Sequence, residues 1–420
     1  MPRGWVCSLL PALLLAVSLS AACKAAGPAA KVVPDFLDPQ DAWEAANTNR
    51  RAAIGGPIDP QLSAESGSGT AVDSGPKAPL AVGESAGATA LLSANVDRAI
   101  TFKIVDAEYS AALDRVVAVS TGPSALKLMD PETSITEEIA LSRVPTAVSV
   151  SPDGMYAAVG HDKFVTYISL PGKRIVREVA VTADVLDLVL AGNSWVYVFP
   201  RRDQWETIRA LELTTGREVQ HTGEEIYAGT LARLHPDGMA IYGANNGLSP
   251  SDIEKYDISA GAPAYKYDSP YHGNYAMCGN LWFSQDGASI FTRCGAVFRA
   301  TTVRATDMTY TGNLKGISRI QALAHSGVTG LIAAAPQVQS TSNPSSAETE
   351  IRLYDAQLNQ VIARQLPSFR DARGREVPGA GKHVFYSFDG SRIHVIAQAV
   401  TATPSIREFA LASYGGSDLR

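Results

Sequence analysis

Two cysteines in the middle of the chain offer the clearest chemistry in the sequence. Cys278 and Cys294 lie at equal distances on either side of Asp286, in CGNLWFSQDGASIFTRCG. If Gln285 to Gly287 form a hairpin loop, stepping outward from it brings the two cysteines opposite each other. Facing positions on antiparallel strands have Cα atoms about 4.5 to 5.5 Å apart, which a disulfide can span. The spacing therefore predicts a cross-strand disulfide. A catalytic or metal role for the pair is the alternative, but no histidine or third thiol lies nearby in sequence.

The other residues that could do chemistry form no compact motif. The seven histidines are scattered, with no two of them two or four positions apart. Asp184 or Asp187 could supply a metal-binding carboxylate, but scattered acids are usually solvated. A Gly-x-Ser-x-Gly pattern, typical of a serine nucleophile turn, occurs as GESAG at Gly83–Gly87. It lacks a strand before it and a helix after it. We therefore predict no catalytic residue, no metal site and no cofactor.

The N-terminus has the pattern of a bacterial export signal. Arg3 precedes an apolar run from Leu9 to Leu19, and small residues lead to Cys23. Residues 1–22 resemble a lipoprotein signal peptide, which implies that Cys23 is lipidated, although Ser20 stands where a leucine is expected. The alternative is ordinary cleavage near Ala22 and a soluble secreted or periplasmic product. Either interpretation predicts export, and the first predicts a cell-envelope protein, periplasmic or at the outer membrane, that meets the membrane through a lipid anchor only.

Residues 23–97 differ in composition from the rest of the chain. Asp38 could cap a short helix that begins at Pro39, but the stretch from Leu62 to Ala90 is rich in small residues and lacks periodicity. We predict a flexible tether; the alternative is a loosely ordered extension packed on the folded domain. The net charge of −6 argues against nucleic acid, because phosphate neutralisation requires clustered Lys and Arg.

A repeated turn organises residues 98–420. SPDGMYAAVG, HPDGMAIYG, SQDGASIFT and SFDGSRIHVI each join two β-rich runs through an Asp-Gly loop, which is typical of a hairpin closed by a type I turn and a bulge. Weaker versions occur around Asp114, Asn193 and Gly327. The spacing of these seven anchors is mostly about 40 to 50 residues, the length of one four-stranded propeller blade.

The seven units and the two ends of this region predict a closed ring. The last unit has patterns for three strands only, so we expect Ala99–Ile104 (AITFKI) to supply its fourth strand and leave no free sheet edge. The region thus resembles the seven-bladed bacterial β-propellers of the WD-repeat-like and YVTN kind. That resemblance implies an all-β fold and says little about activity, because the motifs are turn signatures.

Loop length distinguishes the two faces of such a disc. The first-to-second strand turns, which carry Asp-Gly, define what we call the Asp-Gly face. The other connections define the loop-rich face, where the long segments Ala244–Asp252, Pro336–Glu350 and Ser368–Lys382 fall. Arg, Trp and Tyr are enriched in binding surfaces, and several lie in these connections. The candidate binding residues are Arg201, Arg202, Trp205, Tyr271, His272, Tyr275, Arg370, Arg373 and Arg375.

The sequence favours a binding or scaffolding module, without enzymatic activity, whose partner is a protein or a cell-surface polymer. Long polar loops without function are the plain alternative for the loop-rich face. The alternative function is a propeller enzyme with a site in the central channel, of a metal-dependent lactonase or hydrolase kind or a quinoprotein kind. ALELTTGREVQ, Ala210–Gln220, matches the quinoprotein repeat once, with Glu212 in place of Asp and Gln220 in place of Trp. One degenerate copy favours a strand turn.

Overall fold

The computed structural model describes residues 96–202, 204–246, 248–371, 373–400 and 408–415, which form a β-propeller. Among these residues the one helical turn is a 3-10 segment, Ser346–Glu348. No helix in this part of the chain is long and apolar enough to cross a membrane. The predicted signal segment, the Cys23 lipidation site, the helix after Asp38 and the GESAG pattern lie outside the described residues.

The propeller has six blades, which are antiparallel sheets of four or more strands. A first strand, β1 (Val96–Ile100), precedes blade 1, which contains β2 (Lys103–Ser110), β3 (Arg115–Thr121), β4 (Ala125–Met129) and β5 (Thr136–Ala140). Blade 2 has six strands: β6 (Ala147–Val150), β7 (Tyr156–Ser169), β8 (Arg174–Leu190), β9 (Trp195–Pro200), β11 (Arg209–Glu212) and β12 (Glu218–Gln220). A separate two-stranded ladder joins β10 (Trp205–Glu206) to β13 (Ile226–Tyr227).

The remaining blades have four strands each. Blade 3 contains β14 (Leu231–Leu234), β15 (Ala240–Ala244), β16 (Ile253–Asp257) and β17 (Ala264–Asp268). Blade 4 contains β18 (Leu281–Phe283), β19 (Ser289–Thr292), β20 (Ala296–Arg299) and β21 (Tyr310–Asn313). Blade 5 contains β22 (Ile320–His325), β23 (Ile332–Pro336), β24 (Glu350–Tyr354) and β25 (Gln360–Gln365). A small hairpin of β26 (Phe369–Arg370) and β27 (Glu376–Val377) precedes blade 6, which contains β28 (Gly379–Tyr386), β29 (Arg392–Ala399), β30 (Phe409–Gly415) and β1.

The prediction of seven separate blades was wrong, because the second and third sequence units share one sheet. The first half of β8 pairs with β7 and its second half pairs with β9, so one continuous strand serves both units. The sequence RIVREVAVTADVLDLVL contains no glycine or proline, and nothing in it interrupts the extended backbone. The units were assigned from turn spacing, which does not reveal that two neighbouring units share a strand.

The ring is closed by a strand from the start of the folded domain, as predicted. β1 pairs antiparallel with β30, with Val96 opposite Ser413 and Ile100 opposite Phe409. The closing strand is shorter at its C-terminal end than the predicted Ala99–Ile104, because Lys103 and Ile104 already belong to β2. Ile100 is buried in a cluster that combines residues of blades 1 and 6, so closure is stabilised by apolar burial as well as by backbone hydrogen bonds.

The four Asp-Gly turns form at the predicted places for local reasons, but each loop has four residues where three were predicted. In the turn between β6 and β7, the Asp153 carboxylate accepts the N–H of Met155 at 2.9 Å, and Gly154 has a φ of +74°. The Asp237, Asp286 and Asp389 carboxylates each accept the N–H two positions later in the same way. A β-carbon is disfavoured at the positive φ, and the short aspartate side chain satisfies the turn backbone.

The predicted disulfide between Cys278 and Cys294 is present, with Cα atoms 5.6 Å apart. It does not join facing strand residues, because Leu281 pairs with Thr292 and the hairpin loop is one residue longer than assumed. Cys278 lies in the loop before β18, and Cys294 lies in the turn between β19 and β20. The bridge therefore fastens two connections of blade 4 on the loop-rich face. Closing a loop of sequence separation 16 stabilises the fold by about 3 kcal/mol.

Candidate functional site

The predicted arginines after β9 are held by acidic residues of blade 2. Arg201 pairs with Asp162, and the Nε of Arg202 lies 3.1 Å from the Asp184 carboxylate. Lys163 also lies 3.8 Å from Asp184. Asp184, a possible metal ligand in the sequence, is thus surrounded by cations. These contacts make both arginines part of a local charge network on the loop-rich face.

Trp205 lies on the β10–β13 ladder, which stands outside the blades. β10 follows the second strand of a sequence unit and β13 follows its fourth strand, so two connections of the loop-rich face pair with each other. Trp205 is 53% exposed, and its ring meets Tyr227 edge to face, with ring centroids 5.4 Å apart. A tryptophan held on an ordered ladder and still half exposed is a candidate contact residue.

Tyr271 and Tyr275 are structural residues in this fold. The Tyr275 ring stacks on Tyr310 with centroids 4.0 Å apart, and the Tyr271 hydroxyl accepts the Tyr310 N–H at 3.1 Å. Both rings also pack around Phe298 at the apolar core of blades 3 and 4. Their main contribution is to fix the link between these blades.

His272 lies in the same link but faces a pair of carboxylates. Its Nδ1 lies 3.6 Å from Asp252, and one ligand atom from each of His272, Asp252 and Asp268 falls within 4.8 Å of the others. Two carboxylates and an imidazole are donors that divalent cations accept. Asp268 and His272 are exposed, and exposed acids of this kind commonly hold no ion.

Arg370, Arg373 and Arg375 lie on the β26–β27 hairpin, and all three are exposed. Asp371 orders the turn by accepting the N–H of Arg373 at 2.8 Å, and it pairs with the Arg375 guanidinium at 2.8 Å. Arg370 and Arg373 form no ion pair with any described residue. No hydrogen bond, ion pair or ring contact within the described ranges joins this hairpin to Trp205 or to the Tyr271 link.

A central cavity of about 1550 Å³ runs between the first strands of the blades. Toward the Asp-Gly face its wall is aromatic, with Trp282, Phe283 and Phe385. Its polar residues were not predicted as site residues, apart from the mention of Asp187. Those on the inner strands and at the loop-rich end include Asp106, Glu108, Asp187, Arg233, Arg293, Lys382 and His383, and Asp237, Asp286 and Asp389 of the Asp-Gly turns line the other end.

Three of the cavity carboxylates accept backbone N–H groups from a neighbouring inner strand. Asp106 accepts from Val148 at 2.9 Å, and Glu108 accepts from Val150 at 2.6 Å. Asp187 accepts from Ala232 at 2.9 Å and also pairs with Arg233 at 3.1 Å. The inner strand of a blade is a sheet edge, so these side chains satisfy donors that would otherwise lack a partner. This repeated geometry gives each of the three acids a structural role.

Burial controls the charge of the cavity groups. It raises the pKa of Glu108 to about 8 and that of Asp106 to about 6, although the hydrogen bonds from Val150 and Val148 oppose the shifts. It lowers the pKa of His383 to about 3, with help from Lys382 and Arg233. At neutral pH Glu108 is therefore mainly protonated and His383 is neutral.

Within the described residues, His272 is the one histidine that belongs to a group able to hold a metal ion. Most histidines use a ring nitrogen in a local hydrogen bond, as when the His221 Nδ1 accepts the Ile208 N–H at 2.8 Å. Such bonds occur at His161, His221, His235, His325 and His394. Their placement indicates structural roles. Ala210–Gln220 forms the β11–β12 hairpin, the strand turn that its sequence favours.

Comparison with known proteins does not assign the chain to a family. The chain matches no known protein-family model, and no curated protein shows significant sequence similarity to it. The WD-repeat-like or YVTN type is therefore not confirmed, and the functional argument depends on the site itself.

Proposed function

We propose that the protein is a binding or scaffolding propeller of the bacterial cell envelope, without enzymatic activity. It recognises a protein or a surface polymer through its loop-rich face. The observation that carries this proposal is the β10–β13 ladder, because it holds Trp205 in an ordered position while the residue stays half exposed. A rigid aromatic side chain contributes contact area at low entropic cost.

The basic β26–β27 hairpin, which precedes blade 6, supports a binding role for the same face. Arg370 and Arg373 are exposed and lack ion pairs with the described residues, while their backbone is ordered by Asp371. Exposed guanidinium groups on an ordered turn suit carboxylate, phosphate or sulfate groups on a partner. The chain has a net charge of −6, so this hairpin is a local exception to the overall charge.

Location in the cell envelope is part of the proposal. Residues 1–22 would direct export, and Cys23 would carry the lipid anchor. A disulfide between Cys278 and Cys294 supports an oxidising compartment, because disulfides persist outside the cytoplasm. The alternative within the same proposal is a soluble periplasmic or secreted protein.

We expect a variant with Trp205→Ala, Arg370→Ala and Arg373→Ala to lose at least about tenfold in affinity for isolated cell envelopes, since a buried tryptophan anchor alone is commonly worth about 2 kcal/mol. Cosedimentation of purified protein with envelope fragments measures this. The matched control is Phe388→Ala with Val328→Ala, because these side chains are 66% and 68% exposed on the Asp-Gly face. Equal loss in both variants, or no loss in the first, contradicts the proposal.

The second candidate function is a propeller enzyme with its site in the central cavity. Glu108 favours it, because a carboxyl group with a pKa of about 8 is protonated at neutral pH and could act as a general acid. Against it, the same carboxyl accepts the Val150 N–H and so has a structural role. Thermal stabilisation by divalent metals or quinone cofactors would favour this second candidate.

A further inference from the structure

Arg293 occupies a fixed position at the loop-rich end of the central cavity. Its N–H donates to the Asn280 carbonyl at 2.9 Å, and its carbonyl accepts the Ile320 N–H at 2.8 Å. These bonds hold the residue between the inner strands of blades 4 and 5. The next residue, Cys294, is bonded to Cys278, so the turn that carries Arg293 is covalently fastened as well.

The Arg293 guanidinium has no partner among the described residues. Its Nε is buried without a hydrogen-bond partner, and no described carboxylate forms an ion pair with it. The two buried arginines, by contrast, are paired: Arg352 lies 2.7 Å from Glu350, and Arg209 lies 2.7 Å from Glu206. Partial burial of a cation without a partner is unfavourable, so the partly buried Arg293 at the cavity wall is available to an anion that enters the cavity.

Like charges surround Arg293 and make this arrangement less favourable still. Arg319 directly precedes Ile320, which is bonded to the Arg293 backbone, while Arg233 and Lys382 line the same cavity. Burial, Arg319 and Arg233 together lower the pKa of Arg293. Arg319 and Lys382 also lack ion pairs with described residues.

The nearby acids do not neutralise this group of cations. Asp187 is already engaged by Arg233 at 3.1 Å and by the Ala232 N–H. Asp106 accepts the Val148 N–H, and Glu108 is mainly protonated at neutral pH, since its pKa is raised to about 8. The other aspartates that line the cavity, Asp237, Asp286 and Asp389, lie in the Asp-Gly turns at its opposite end. At the loop-rich end Arg293, Arg319 and Lys382 therefore have no ion-pair partner among the described residues.

We propose that this end of the central cavity binds the oxyanion of a small organic ligand, such as a carboxylate or sulfate, with Arg293 as its main contact and Arg319 and Lys382 in support. The volume of about 1550 Å³ far exceeds that of an inorganic anion, and the aromatic wall at Trp282 and Phe385 suits an apolar ring on the ligand. This inference goes beyond the proposed function, because a partner could bind Trp205 and the basic hairpin with the cavity empty.

The test uses the full chain, two anionic probes and a neutral one. Isothermal titration calorimetry with sulfate, 2-naphthoate and the uncharged 2-naphthamide is compared for the wild-type protein and Arg293→Gln. We expect wild type to bind both anions and to bind 2-naphthamide at least about tenfold more weakly than 2-naphthoate, because a charge-assisted hydrogen bond is lost. Arg293→Gln should weaken the binding of both anions by a similar factor.

The control variant is Arg299→Gln, which removes the same charge from an exposed position on β20 and should bind both anions as wild type does. Melting temperatures separate ligand binding from a structural role. Ligand-free Arg293→Gln should melt at the wild-type temperature or above it, because like-charge repulsion with Arg319 and Arg233 is relieved. A lower melting temperature, no anion binding by wild type, or equal anion binding by Arg293→Gln overturns the proposal.

Discussion

Replacing Asp307 with alanine is expected to lower the free energy of unfolding by about 3 to 5 kcal/mol, since it leaves a buried charge without its partner. The Asp307 side chain is fully buried and lies 2.7 Å from the Nζ of Lys255. It also accepts hydrogen bonds from the hydroxyls of Tyr242 and Tyr267 and from the Thr301 N–H, at 2.8 to 3.1 Å. The network joins three strands of blade 3 to a loop of blade 4. Chemical denaturation measures the change.

Two further variants test whether the buried charge causes this loss. Asp307→Asn keeps an acceptor of the same shape but leaves Lys255 unpaired, so it should remain clearly destabilised. Lys255→Met combined with Asp307→Leu removes both charges and should recover much of the stability. If Asp307→Ala changes the free energy of unfolding by less than about 1 kcal/mol, this account of the junction between blades 3 and 4 is wrong.

Stability is expected to fall as the pH rises from about 4.5 to about 8, because of Glu108. Burial raises the pKa of this carboxyl from 4.5 to about 8 in the folded state. Between these values the folded state binds more protons than the unfolded state, so the free energy of unfolding decreases with rising pH. At about 1.4 kcal/mol per pKa unit, the effect is on the order of several kcal/mol. Glu108→Gln should remove this part of the pH dependence while retaining an acceptor for the Val150 N–H.

The comparison requires denaturation of wild type and Glu108→Gln at pH 5 and pH 8. Glu212→Gln is a suitable control, because Glu212 has a lowered pKa and its contribution changes only below the ordinary value. It should keep the wild-type dependence in this range. Identical pH dependence in wild type and Glu108→Gln would show that the cavity around Glu108 is well hydrated and that burial does not hold the proton.

Local features of the fold could be predicted from the sequence because their causes are local. The Asp-Gly turns need only an aspartate that accepts a nearby N–H and a glycine with positive φ. The closing strand follows from counting strand patterns at both ends of the domain. Features that depend on the exact strand register could not be predicted. The loop between Phe283 and Ser289 is one residue longer than assumed, so the disulfide joins two connections and not facing strand positions.

The candidate site was less predictable, since exposure and pairing depend on neighbouring blades. Tyrosines such as Tyr271 and Tyr275 are common in binding surfaces, but here Tyr275 stacks on Tyr310 of blade 4 and the Tyr271 hydroxyl accepts the Tyr310 N–H. The placement of Asp106 and Glu108 could have been predicted, because two acids at alternate positions of a strand point to the same side of the sheet. No sequence feature indicates the role of Arg293, because its lack of a partner becomes visible only when blades 4 and 5 are placed together.

The central claim is a closed ring, because the loop-rich face and the cavity exist only if the first and last strands pair. Ala99 lies opposite Ala410 in that pairing, within the range that a disulfide spans, whereas a diagonal neighbour is about 7 to 8 Å away. An Ala99→Cys/Ala410→Cys variant should therefore form a new disulfide on mild oxidation, mapped by mass spectrometry, and Ala99→Cys/Ala412→Cys should not. Failure of the first pair to form, or equal formation of both, would contradict closure by β1.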